Sequence, residues 1–82
     1  MKELRKLINE LEAAEEKANK ADAAWEQDPE NENLEKEFDE AYKAEWTAFK
    51  KLRNEIQKLT GCGSQTASEM IRGHRDEIKR MI

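Results

Sequence analysis

Trp25-Glu26-Gln27-Asp28-Pro29-Glu30-Asn31-Glu32-Asn33-Leu34 interrupts the apolar periodicity that runs on either side of it, and it holds the only proline of the chain. Asp28 suits a helix N-cap, and Pro29 suits the first helical position, where its missing N–H is not needed. Glu30 and Glu32 then fall in a first turn, where negative charge complements the helix dipole. The stretch reads as the end of one helix and the start of the next. So short a connection makes the two helices fold back antiparallel.

Upstream of it, Leu4, Leu7, Leu11, Ala14, Ala18, Ala21 and Trp25 alternate steps of three and four, an a/d heptad pattern, with Ile8 widening the stripe near the N-terminus. A helix is expected over about residues 2–26. Downstream, Leu34, Phe38, Ala41, Tyr42, Phe49, Leu52, Ile56 and Leu59 form the stripe of a second helix over about 29–60. It stops at Thr60-Gly61-Cys62-Gly63, where glycine permits a left-handed C-cap. Thr66-Ala67-Ser68-Glu69 then reads as a capping box opening a third helix over about 66–81. Its stripe is Ala67, Met70, Ile71, His74, Ile78, Met81 and Ile82, with Gly73 weakening its interior. The expected fold is all-α: an antiparallel two-helix coiled-coil hairpin with a short third helix packing at its open end, residues 1–82 forming one domain.

Counting outward from the turn pairs residues whose numbers sum to about 59 or 60. Ala21 then faces Phe38, Ala18 faces Ala41 or Tyr42, Leu11 meets Ala48 or Phe49, and Leu7 meets Leu52. Small residues on one helix oppose large ones on the other, as interdigitating layers require. The hairpin also accounts for an unusual composition. Charged residues are 41% of the 82, against the usual ~25%. Leu, Ile and Phe number only six, five and two, and valine is absent. Such a stock supports a narrow seam and not a large core, and Glu, Lys and Ala favour helix over strand.

The net charge of −4 conceals a division. Residues 10–45 hold 14 acidic and 4 basic side chains, and the rest hold 5 and 11. Folding at Asp28-Pro29 places a net −10 at the turn end and +6 at the open end. An acidic tip of this kind fits a basic surface, including the nucleic-acid channel of an enzyme, by mimicry of phosphate charge. The plainer reading is two solvated faces of charge-rich helices.

Little chemistry is on offer. Cys62 and His74 are the only residues of their types, and no zinc-ligand spacing is present, so neither metal nor cofactor is expected. Cys62 beside a helix start and His74 make a conceivable nucleophile pair, but an incidental or structural role fits both better. No phosphate loop follows Gly61-Cys62-Gly63. Carboxylates abound, yet a hairpin is expected to have no cleft that would perturb them. Glu45, inside the stripe near Ala14, reads as a snorkelling side chain or as an ion pair across a dimer seam. With no apolar run and a lone cysteine, no membrane span or secretory signal is visible and a cytoplasmic setting is expected.

The segment from Leu59 to Ile71, followed by Arg72, Arg75, Lys79 and Arg80, resembles a helix-turn-helix recognition region. The resemblance implies nucleic-acid contact through those four cations. Where such sequences carry a small residue two to four positions before the glycine, this chain has Gln57, Lys58 and Leu59, and residues 61–82 net only +1.

Taken together, these features point to a small non-enzymatic protein-interaction module, an inhibitor or adaptor docking on a larger protein. Trp46, Tyr42, Arg53 and Trp25 are the expected anchors, Trp, Tyr and Arg being the types that concentrate binding energy. Glu30, Glu32, Glu35 and Glu37 are the expected steering charges. A phosphate-mimicking inhibitor comparable in size and charge to phage anti-defence proteins, a homodimeric structural coiled coil, and a nucleic-acid binder acting through the third helix are the alternatives.

Overall fold

In a computed structural model describing residues 2–82, the chain forms α1 (Lys2–Gln27), α2 (Glu32–Thr60), α3 (Ser64–Gly73) and α4 (Arg75–Met81). Helices α1 and α2 pair as the antiparallel hairpin, and α3–α4 packs at its open end in a molecule of 45 × 22 × 19 Å. Among the described residues, no helix is long and apolar enough to cross a membrane.

The turn is built differently from its sequence reading. Asp28 does not cap α2, and Pro29 is not its first residue. Asn31 is the cap: its Oδ1 accepts hydrogen bonds from the N–H groups of Asn33 at 3.0 Å and Leu34 at 3.4 Å. Asp28 instead closes a four-residue turn, its carbonyl accepting from the Asn31 N–H at 3.1 Å with Pro29 in the second position. Its carboxylate also accepts from the Asn31 side chain at 3.3 Å. The reason is reach. Packed helix axes lie roughly 8–10 Å apart, and a single residue between Gln27 and Pro29 cannot cross that gap and reverse direction. Residues 28–31 can.

Residues that the expected register pairs are buried alike. Leu7, Leu11, Phe49 and Leu52 join one buried cluster, and Ala18 and Ala41 are both buried. Phe38, however, stacks on Trp25, with ring centroids 5.9 Å apart. Side chains on a helix lean toward its N-terminus, so the long indole of Trp25 covers the level of Ala21, where Phe38 arrives.

α2 ends as its sequence suggests, with Gly61 left-handed at φ 73° and its N–H donating to the Gln57 carbonyl at 2.8 Å. The third helix departs from expectation at both ends. It starts at Ser64, so Thr66–Glu69 lies inside it; Gly63 is the cap residue, and no capping box forms. It also breaks at Gly73. His74 (φ −130°, ψ 24°) caps both pieces, donating to the Met70 carbonyl at 3.0 Å and accepting from the Ile78 N–H at 3.1 Å. His74 is therefore exposed and not on the apolar stripe. An unbroken helix would carry Ile78 toward the tip, away from Leu4. The break turns the chain back and lets Ile78 join Leu4, Ile8, Ile56, Ala67 and Ile71 in the core. Leu59 and Met81, expected on the stripe, stay exposed at its edge.

Burial is thus concentrated at the open end, where three layers meet. In the upper half only Ala18 and Ala41 are fully buried, with Trp25, Leu34 and Phe38 half-buried.

Candidate functional site

The site begins with how α3–α4 is held. Arg75, the first residue of α4, sends its guanidinium to Glu15 of α1. One terminal nitrogen pairs with Oε1 and the other donates to Oε2 at 3.0 Å, while Nε donates to the Ile71 carbonyl at 3.2 Å. One turn later Lys79 meets Glu12 at 2.7 Å. As residue numbers rise along α4 they fall along α1, so the chain climbs α2 as α3, reverses at Gly73-His74, and descends α1. Arg72 completes the attachment, its guanidinium carbon lying 5.0 Å from the centre of the Phe49 ring.

The upper edge of this attachment is a cleft of about 130 Å³ lined by Glu15, Tyr42, Glu45, Trp46, Phe49, Arg72 and Arg75. That is below the ~300 Å³ at which small-molecule sites begin. Trp46 stacks on Phe49, with centroids 5.6 Å apart and planes at 8°, and Lys50 covers Trp46 at 5.7 Å. Tyr42 stacks on Phe38 at 6.1 Å. Tyr42 and Trp46 remain 59% and 45% exposed. Burial pushes the Glu45 carboxyl above its ordinary value, and the neighbouring Glu15 charge adds to the rise while Arg75 opposes it. The Glu15 hydrogen bond raises Arg75, against the opposing effect of burial. The expectation of unperturbed carboxylates is therefore corrected: α3–α4 supplies the cleft that the two long helices alone lack. Glu45 lies in the same cleft as the Glu15–Arg75 pair of its own chain.

Above the cleft the same face is uncovered. Helical spacing continues the line of Glu15 through Asn19, Asp22 and Glu26. It continues the line of Phe49 through Glu45, Tyr42, Phe38 and Glu35. None of the ion pairs among the described residues involves Asp22, Glu26, Glu35 or Glu45. The opposite groove differs, being lined by Lys17, Lys20, Ala21, Ala24, Glu37, Glu40, Ala41 and Ala44. Lys36 and Lys43 lie four and three positions from Glu40, on its meridian. All four lysines of the upper half thus lie away from the aromatic face. Residues 16–44, beyond the ion pairs that hold α4 to α1, carry 10 acidic and 4 basic side chains, a net of −6.

The structure brings Tyr42 and Trp46 together at the cleft. Trp25 lies half-buried on Phe38, nearer the turn, with its ring N–H enclosed and without an acceptor. Arg53, one turn beyond Phe49, is half-buried with Nε likewise enclosed. Glu30, Glu32, Glu35 and Glu37 are all exposed, but Glu37 belongs to the opposite groove. Of the four cations of the third helical segment, Arg75 and Lys79 are engaged by Glu15 and Glu12, Arg72 lies over Phe49, and Arg80 is exposed. Sequence reasoning missed Glu12, Glu15 and Asp22. Nothing in the heptads marks them, because their importance depends on where α4 lies.

Cys62 and His74 lie beyond opposite ends of α3, a ten-residue helix about 15 Å long. Among the described residues, no group of His, Cys, Asp or Glu is arranged to hold a metal ion. Compared with protein-family models, curated proteins and solved structures, the chain matches none.

Proposed function

We propose that this protein is a small non-enzymatic interaction module that docks on a larger, basic protein as an adaptor or stoichiometric inhibitor. The observation that carries the reading is the exposure of Tyr42 and Trp46 on a face whose free charges above the cleft are all acidic. Exposed aromatics supply contact area at low entropic cost, and a one-signed field steers an oppositely charged partner. A nucleic-acid-binding protein has the required surface, and the acidic rod then stands in for phosphate charge. Binding through α3 and α4 to nucleic acid itself is less well supported, because Arg75 and Lys79 are committed to internal ion pairs.

The test is capture of partners from a cell lysate by the intact chain, by a Tyr42→Ala/Trp46→Ala variant, and by a variant with Glu30, Glu32, Glu35 and Glu37 changed to Gln. One protein retained by the first and lost from both variants supports the proposal. Capture indifferent to all six substitutions overturns it.

A second reading has its own observation. Leu59 and Met81 are 50% and 84% exposed beside an apolar groove lined by Leu4, Ile56, Met70, Ile78 and Ile82. Self-association there gives a homodimer joined at the open ends. Sedimentation at about 100 µM, with Met81→Lys as the variant, decides it.

A further inference from the structure

The chain covers one half of its aromatic face and leaves the other open. α3–α4 ends at the level of Glu15 and Glu45, whereas α1 continues to Gln27. Twelve residues of α1 at about 1.5 Å each leave roughly 18 Å of uncovered groove, the length of a three-turn helix. The floor is aromatic: Trp25, Phe38 and Tyr42 form a stacked series. The walls are acidic: Asp22 and Glu26 on α1, Glu35 and Glu45 on α2. The cations at its lower end are Arg75, held by Glu15, and Arg72, lying over Phe49.

Resting on the function proposed above, we propose that this open groove is the seat of a basic amphipathic α-helix of the partner, about three turns long. It lies end-on above α3–α4 and places an arginine on Glu45. Three observations select this occupant. A groove between two antiparallel helices is filled by a third helix, and the chain already fills the lower half of the same face in this way. The four acidic side chains on the walls are free of ion pairs, so the occupant is cationic. Glu45 is half-buried beside Tyr42, and a guanidinium can fork a carboxylate while stacking on an adjacent ring, which an ammonium does less well. The opposite groove, with its alanines and mixed charges, offers neither feature.

The probe is a synthetic amphipathic peptide with leucine on one helical face and arginine on the other, compared with a scrambled peptide of the same composition. Affinity is measured by calorimetry, and the contact is mapped by amide chemical-shift changes in NMR. The amphipathic peptide is expected to bind at least about ten-fold more tightly than the scramble. Its shifts are expected to centre on 15–26 and 38–46. Glu45→Arg is expected to weaken it about ten-fold or more, while Glu40→Arg, an equal charge change in the opposite groove, changes it less than about two-fold. Tyr42→Arg, at an exposed position, is the substitute should Glu45→Arg fail to fold. Equal binding of the scramble, equal effects at Glu45 and Glu40, shifts centred on Leu59 and Met81, or no binding overturns the inference. Lysate capture that still depends on Tyr42 and Trp46 after such a result leaves the broader interaction reading standing; capture indifferent to them removes that reading as well.

Discussion

Replacing Arg75 and Glu15 separately and together measures how firmly α4 is tied to the hairpin. The two side chains are 21% and 31% exposed and make two charge-assisted hydrogen bonds. Exposed ion pairs contribute about 0.2–1 kcal/mol, and breaking a fully buried one by removing a partner costs about 3–5 kcal/mol. A two-point guanidinium fork between those limits gives an expected coupling energy of about 1–2 kcal/mol in a double-mutant cycle. Arg75→Ala alone is expected to cost more than the coupling. It also removes the hydrogen bond to the Ile71 carbonyl and leaves Glu15 beside Glu45 without its cation. For a domain of this size, each kcal/mol moves Tm by about 4–8 °C, so the pair is worth about 4–16 °C. The assay is urea and thermal unfolding followed by circular dichroism at neutral pH, for wild type, Arg75→Ala, Glu15→Gln and the double variant. A coupling below about 0.5 kcal/mol would refute the reasoning. In that case α4 is held by Ile78 in the core and by the Lys79–Glu12 pair, and Arg75 is free to contact another molecule.

Other outcomes follow from the same structure. Asn31→Ala is expected to cost about 1 kcal/mol as the loss of a true cap, and Asp28→Ala less, since only the turn is loosened; the reverse order in urea unfolding would restore Asp28 as the cap. Gly73→Ala is expected to stabilise by about 0.4–1 kcal/mol, because a Cβ there meets nothing within 4 Å and the φ is not left-handed; a lower Tm would show that the break needs glycine. Glu45 holds its proton more tightly folded than unfolded. Its ionised form therefore opposes folding above its raised value, and that cost disappears as pH falls below the ordinary carboxylate value. Glu45→Gln is expected to be the more stable protein at pH 7, with an advantage that shrinks on acidification; an advantage constant with pH would count against the desolvated carboxylate.

The heptads reported the hairpin because a coiled-coil seam is a local pattern. Leu4, Leu7, Leu11, Leu52 and Ile56 repeat at helical spacing, and burial of a single stripe leaves few ways to pair them. Gly61 was legible for the same reason, since a left-handed C-cap is a property of one residue. The turn was half legible: Pro29 marked it, but whether Asp28 or Asn31 caps α2 depends on the gap between packed helices. His74 was misplaced because periodicity assumes an unbroken helix, while the non-helical backbone of His74 itself turns the chain back toward its core.

The sequence by itself determined the two long helices, their antiparallel pairing and the acidic bias of the turn end, all consequences of short-range spacing and composition. Only the tertiary structure decided which of those charges are free. The return of α4 along α1 neutralises Glu12 and Glu15, desolvates Glu45, and ends the covering layer partway up the rod. Those are contacts between residues about sixty positions apart, and no local pattern encodes the packing that brings them together.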